Sequence, residues 1–206
     1  MRRAWCYFLL SGHEWGGDVM VTPDFITQCI PRLHGLEPEI DGRAGHEVVS
    51  SVLVPLIFPT TVSEPGCQVL LIRRSNEVRY HKGQIAFPGG RRDPSDATVL
   101  HTALRETVEE LGSQARPMRI LGALPPVLTF ATGFIIYPFV GMMPEKMDVQ
   151  PEPREVAEVL RIPLDFFLAE GRNAPESYRY GPEVIWGASA RIITAFVGFL
   201  LGGERR

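Results

Sequence analysis

The stretch RETVEELG, Arg105 to Gly112, places three glutamates and one arginine within eight residues. Gly112 is the expected stop of a helix, and Ser95 or Asp96 is its expected N-cap. At about 100° per residue, Leu100, Leu104, Val108 and Leu111 share one stripe, while Glu106, Glu109 and Glu110 fall on the opposite side. The spacing predicts a helix with one core face and one carboxylate face. Like charges at i, i+3 and i+4 repel by about 0.2–0.5 kcal/mol per exposed pair. Arg105 can hold one carboxylate bidentately and leaves two uncompensated. Two readings stand: a solvated acidic face, or a site for a hard divalent cation, Mg2+ or Mn2+, shared between carboxylates and substrate phosphates.

The residues upstream favour the cation. RRSNEVRYHKGQIAFPGGRR, Arg73 to Arg92, carries Arg73, Arg74, Arg79, Lys82, Arg91 and Arg92 against a single acid, Glu77. A phosphate-bearing ligand, bridged to the carboxylates by metal and gripped by arginines, needs this sorting of charge. Gly89 and Gly90 let the backbone approach a metal closely, and the Gly90 carbonyl is itself a candidate ligand.

Around this core the chain reads as α+β. EVVSSVLVPLIF (47–58) and CQVLLIRR (67–74) are expected paired strands across the turn PTTVSEPG, and QIAF (84–87) is a brief third. Further strands are expected at 118–124 and 133–143, a hairpin at 177–187 and a helix at 188–201. REVAEVLRIPLDFFL (154–168) reads as a helix or turn, with Glu155 and Glu158 at its solvated start. Thr22, Pro23 and Asp24 open a short amphipathic helix carrying Phe25, Ile26, Cys29, Ile30 and Leu33. Residues 1–19 read as a disordered or loosely packed extension, and Met20 is a second candidate start. Strands segregated from a few helices argue against a Rossmann sheet.

Composition bounds the function. The 206 residues carry a formal net charge of −3, which argues against a surface built to embrace nucleic acid. No apolar run is long enough to span a bilayer. The three cysteines, Cys6, Cys29 and Cys67, form no C-x-x-C pair, and a reducing cytoplasm fits them best.

The GG pair and RETVEELG together resemble the Nudix box, G-x5-E-x7-R-E-U-x-E-E-x-G-U, with U aliphatic. Arg105, Glu106, Glu109, Glu110 and Gly112 stand at the required relative spacing. LLIRRSNEVRYHKGQIAFPGG is similar to the motif L-L-T-x-R-S-x3-R-x3-G-x3-F-P-G-G that precedes the box in the coenzyme A pyrophosphatase subfamily. Arg74, Ser75, Arg79, Gly83 and Phe87 to Gly90 match, and Ile72 replaces the threonine. The likeness runs from about Val48 to Val197. It departs from the general box where Asp96 stands for glutamate, where eight residues separate Asp96 from Arg105, and where Thr107 and Ser113 occupy aliphatic positions. Asp96 is therefore left out of the ligand set.

The resemblance implies a Nudix-type α/β/α sandwich with a mixed sheet over residues 46–206, behind an extension over 1–45. It implies Mg2+- or Mn2+-dependent hydrolysis of the diphosphate of coenzyme A or its derivatives, giving 3′,5′-ADP and 4′-phosphopantetheine or its acyl form. Catalysis would fall to Arg105, Glu106, Glu109 and Glu110, and metal binding to Gly90, Glu106, Glu109 and Glu110. Arg74, Ser75, Arg79, Lys82 and Gly83 would meet the substrate, the bland reading of the cations being solvated loop charges. The general base stays open between Glu106, Glu110 and an acid from a distant loop. NADH, ADP-ribose and a damaged nucleotide are alternative substrates, and a nucleotide-sensing module without turnover is the non-enzymatic alternative. A complete Arg105/Glu106/Glu109/Glu110 set favours the enzyme. The resemblance, with the apolar surface of the N-terminal helix and of GFIIYPFVGMM (133–143), also suggests a homodimer.

Overall fold

A computed structural model describes residues 6–8, 19–30, 48–59, 66–112, 114–117, 119–129 and 133–202. Where a loose extension was expected, β1 (Cys6–Phe8) pairs antiparallel with β2 (Val19–Val21), Cys6 opposite Val21. Helix α1 (Pro23–Cys29) starts as its sequence predicts: Thr22 Oγ1 accepts from Phe25 N at 3.0 Å, and proline takes the first turn. It ends at Ile30, whose backbone is extended, and Leu33 lies outside the described residues. Val21, Ile26 and Ile30 are buried in the main core.

The central sheet is mixed. Its path runs β10 (Val156–Pro163), β4 (Gln68–Arg74), β3 (Val48–Ile57), β9 (Phe134–Met143) and β7 (Arg119–Ala123). Strands β3 and β9 pair in parallel along their whole lengths, from Val48 opposite Phe134 to Ile57 opposite Met143, and the other pairs are antiparallel. The strand β8 (Val127–Thr129) adds to β9. Alternation sorts the central strands into two cores. Val54, Leu56, Val69, Leu71 and Val140 face one, while Leu53, Ile57, Leu70, Ile72 and Phe139 face the other.

Helix α2 (Val99–Leu111) covers the second face. The first is covered by α1, α3 (Leu164–Glu170), α4 (Gly187–Leu200) and the hairpin of β11 (Ser177–Tyr180) and β12 (Glu183–Trp186), giving an α/β/α sandwich.

The feature that positions the site is a fork between β3 and β4. They pair only at Leu56–Val69 and Ile57–Gln68. Beyond that point β5 (Ile85–Ala86) takes the edge of β4, and β6 (Gly89–Arg91) takes the edge of β3. Leu53 N donates to Pro88 O at 2.9 Å in the join. The two glycines thus lie inside the sheet, beneath α2.

The expectation of a helix or turn over 154–168 holds at its two ends, a turn at 153–155 and α3 from Leu164, and is corrected between them. Val156 to Pro163 is an edge strand on β4, from Val156 opposite Arg74 to Pro163 opposite Gln68. Val156, Val159 and Ile162 suit a half-buried strand, and Pro163, which has no N–H to donate, ends it. Only then does α3 begin, burying Leu164, Phe167 and Leu168.

Candidate active site

The acidic helix forms with a different cap and a different phase. Thr98, not Ser95 or Asp96, is the N-cap, its Oγ1 accepting from His101 N at 3.0 Å. Gly112, at φ +90°, ends the helix as expected. The buried face carries Val99, Thr102, Ala103, Thr107, Glu110 and Leu111, whereas Leu100, Leu104 and Val108 are half-buried. The helix is rotated by roughly a quarter-turn from the orientation its leucine stripe predicts. Small side chains explain the phase: Ala103 and Thr107 face the sheet and let the helix axis approach β3 and β6.

Close approach leaves no room for a Cβ on either glycine of β6. A Cβ on Gly89 would collide with Ser51 O and Val52 Cα of the backbone, and Gly89 has φ +145°. A Cβ on Gly90 would collide with the Glu106 carboxylate. The glycine pair is thus a cradle for the helix and its acids.

Rotation separates the glutamates. Glu110 points inward with 2% of its side chain exposed, correcting its placement on the solvent face. Its Oε2 accepts from Gly89 N at 2.9 Å, and Arg74 Nη1 lies 3.8 Å from its Oε1. Burial pushes the Glu110 carboxyl up to about 8, against the Gly89 N–H and Arg74, which favour the charged form. Glu106 is also pushed up by burial, which outweighs Arg105 beside it. Glu109 keeps 53% of its side chain exposed.

Arg105 gathers more than the one partner foreseen. Its Nε and Nη2 each donate to an Asp96 oxygen at 2.9 Å, its Nη1 donates to Glu109 Oε2 at 2.8 Å, and its Nη2 lies 3.0 Å from Glu106 Oε1. Asp96 is buried and also accepts from Asp93 N at 3.0 Å and Thr102 Oγ1 at 2.9 Å. These bonds, Arg105's first among them, hold its carboxyl well below the usual range. Asp96 therefore anchors the arginine.

Among the described residues no three His, Cys, Asp or Glu side chains converge as a ready-made metal cage. The donors nevertheless suit Mg2+ or Mn2+: hard oxygens on Glu106 and Glu109, held together by Arg105, against the bare backbone of Gly90.

The upstream residues divide. Arg74 reaches the site through Glu110, with its Nε buried and lacking a hydrogen-bond partner. Ser75 is buried and builds the loop, its Oγ accepting from Glu77 N at 3.1 Å. Gly83, at φ +68°, closes the same loop with its N–H on Arg74 O at 3.0 Å. Arg79 and Lys82 are exposed on that loop. Arg73 turns away to Glu158 and Glu183.

Glu155 is the acid that sequence reasoning misplaced. The segment before β10 straps the end of α2: Gln150 N donates to Leu111 O and Glu152 N to Glu110 O, both at 3.0 Å, and Ser75 N donates to Glu155 O at 2.8 Å. From there the Glu155 charge acts on both Glu106 and Glu110, raising each. Pro151 and Pro153 were the signal against a helix here: the chain makes a single turn, with Glu155 N and Val156 N both donating to Glu152 O, before β10 begins.

Comparison with known proteins gives a match to the NUDIX domain over residues 52–183. The chain is 35% identical over 176 residues to the uncharacterized Nudix hydrolase NudL of Citrobacter koseri, covering 80% of this chain and 88% of that one. It is 32% identical over 180 residues to NudL of Yersinia enterocolitica, covering 82% and 89%. The MutT protein of Methanosarcina mazei Go1 shares the fold with a TM-score of 0.53 at 21% identity, covering 77% of this chain and 96% of that one.

Proposed function

The chain belongs to the Nudix hydrolase family, whose members hydrolyse nucleoside diphosphate derivatives with divalent metal ions, and from that premise we propose that it cleaves the diphosphate of coenzyme A or its acyl derivatives. The observation that carries the reading is Glu106 wedged between Arg105 and the backbone of Gly90, with Glu109 accessible beside it. The upstream loop supports the choice of substrate, because its Arg74, Ser75, Arg79 and Gly83 match the coenzyme A motif.

In this reading the catalytic unit lies within residues 46–206. Glu106, Glu109, Glu110 and the Gly90 carbonyl would hold Mg2+ or Mn2+, which when bound would neutralise the diphosphate and activate a water. Arg105, anchored on Asp96, keeps Glu106 and Glu109 side by side. Glu110 ties the helix to the Gly89 N–H. Arg74, reaching in from β4, and Arg79 and Lys82, on the loop, receive substrate phosphates, while Ser75 and Gly83 shape the loop that carries them. Attack of the water oxygen on phosphorus breaks one P–O bond of the diphosphate and yields 3′,5′-ADP and 4′-phosphopantetheine. Glu106, Glu110 and Glu155, whose charges act on one another, are the candidates to accept the water's proton.

No helix of the described residues is long and apolar enough to cross a membrane. The proposal includes a cytoplasmic homodimer, supported by the apolar, half-buried Phe134 to Tyr137 of β9. The substrate assignment is tested by Mg2+-dependent hydrolysis of coenzyme A, acyl-coenzyme A, NADH, ADP-ribose and nucleoside triphosphates, with products identified by mass. Preferred cleavage of coenzyme A supports it. Cleavage of NADH or ADP-ribose with coenzyme A untouched overturns it.

A further inference from the structure

Three large apolar side chains are exposed among the described residues: Tyr80, Tyr180 and Trp186. Tyr180 packs edge-on against Phe166, and Trp186 is the residue from which α4 starts. Tyr80 is the most exposed, at 63%, and lies in the loop between β4 and β5. One face of its ring is taken by the Arg79 guanidinium, whose carbon lies 5.1 Å from the ring centroid. Lys82 stands two residues further on.

The loop is braced. Arg74 N donates to Gln84 O at 2.9 Å, Gly83 N to Arg74 O at 3.0 Å and Gln84 N to His81 O at 3.2 Å. The His81 Nδ1 and Gln84 Oε1 lie 3.0 Å apart. His81 itself adopts the left-handed conformation, φ +59°, at a cost of about 1–2 kcal/mol for a residue with a Cβ. Those bonds turn the chain immediately after Tyr80 and brace the backbone that carries it. At the loop's base Arg74 is 3.8 Å from Glu110. Tyr80 lies six residues on from Arg74, a span of at most about 20 Å. An elongated ligand anchored at the carboxylates therefore has the ring within reach.

We infer that Tyr80 is the stacking platform for the adenine base of the substrate, which lies on the ring face opposite Arg79. The inference rests on the nucleoside diphosphate reading of the site and adds the residue that holds the base. An exposed aromatic flanked by cations is the arrangement that binds a base through its π-face and its phosphates through charge. Arg79, stacked on the other face, leaves one face of the ring for the base.

The test compares wild type, Tyr80→Ala and Tyr80→Phe in two measurements. Steady-state hydrolysis of coenzyme A with Mg2+ should show KM raised about tenfold or more in Tyr80→Ala at nearly unchanged kcat, with Tyr80→Phe within about twofold of wild type. Calorimetric titration with 3′,5′-ADP should show the same order of weakening in Kd. If wild type hydrolyses no coenzyme A yet Tyr80→Ala weakens 3′,5′-ADP binding, the substrate reading fails and the platform stands. If wild type hydrolyses coenzyme A while Tyr80→Ala leaves KM and Kd unchanged, the platform is overturned and the substrate reading stands. Failure of wild type to bind 3′,5′-ADP at millimolar concentration also overturns the platform.

Discussion

Adjacent glycines in β6 should fail in opposite ways when given a methyl group. In Gly90→Ala the new Cβ meets only the carboxylate of Glu106, the far end of a flexible side chain. Glu106 can swing aside, losing its partly exposed contact with Arg105, 3.0 Å long, at a cost of about 0–1 kcal/mol. In Gly89→Ala the Cβ meets Ser51 O and Val52 Cα, which are backbone, at φ +145°, where a side chain costs about 1–3 kcal/mol. Moving that strand also breaks the 2.9 Å bond from Gly89 N to buried Glu110, worth about 1–3 kcal/mol more. The sum, roughly 2–6 kcal/mol before the steric clash is counted, is a large part of the roughly 5–15 kcal/mol of a typical domain. Urea denaturation should therefore find Gly90→Ala near wild type and Gly89→Ala severely destabilised or unfolded. Gly90→Ala should nonetheless lose at least about a hundredfold in kcat, because Glu106 no longer sits where the site needs it. Equal stabilities for the two variants, or a fully active Gly90→Ala, would refute this account of the cradle.

Stability at low pH should depend on Asp96. Its folded carboxyl lies below its unfolded value near 3.9, so its contribution is present above about pH 4 and is lost as the pH falls below it. Urea midpoints between pH 7 and pH 3 should fall steeply in wild type and less steeply in Asp96→Asn, which starts lower; parallel curves would exclude this role. Glu155→Gln should reduce kcat by about tenfold or more without changing the urea midpoint, since the side chain is exposed and its backbone bond from Ser75 survives. Unchanged turnover would remove Glu155 from the site. Light scattering should give a mass near twice 23.0 kDa at micromolar concentrations, and the monomer value would rule out the dimer.

Much of the site was legible because its information is local. Arg105, Glu106, Glu109 and Gly112 sit at fixed helical offsets, and Gly89 and Gly90 announce a close backbone approach. The helix phase was not legible. A leucine stripe suggests the buried face, but Ala103 and Thr107 face the sheet because they permit contact, which a count of apolar residues does not weigh. The cap was misread for a related reason: Asp96 is a good N-cap, but Arg105, nine residues on, takes both its oxygens. Glu155 was misplaced because the strand that follows it, β10, exists only through pairing with β4, some eighty residues earlier, and nothing in the residues of β10 reports that pairing. The expectation of paired strands at 47–58 and 67–74 was met, yet at two positions only, since β5 and β6 occupy the rest of those edges.

The central claim, that the carboxylates of α2 drive metal-dependent cleavage of coenzyme A, is tested most directly by comparing wild type with Glu109→Gln. Glu109 is 53% exposed, so the exchange should leave the urea midpoint unchanged and report on chemistry alone. With Mg2+, wild type should release 3′,5′-ADP and 4′-phosphopantetheine, and with EDTA it should release neither. Glu109→Gln should lose about a thousandfold in kcat. Wild-type turnover that survives EDTA, or a Glu109→Gln variant as active as wild type, would contradict the account.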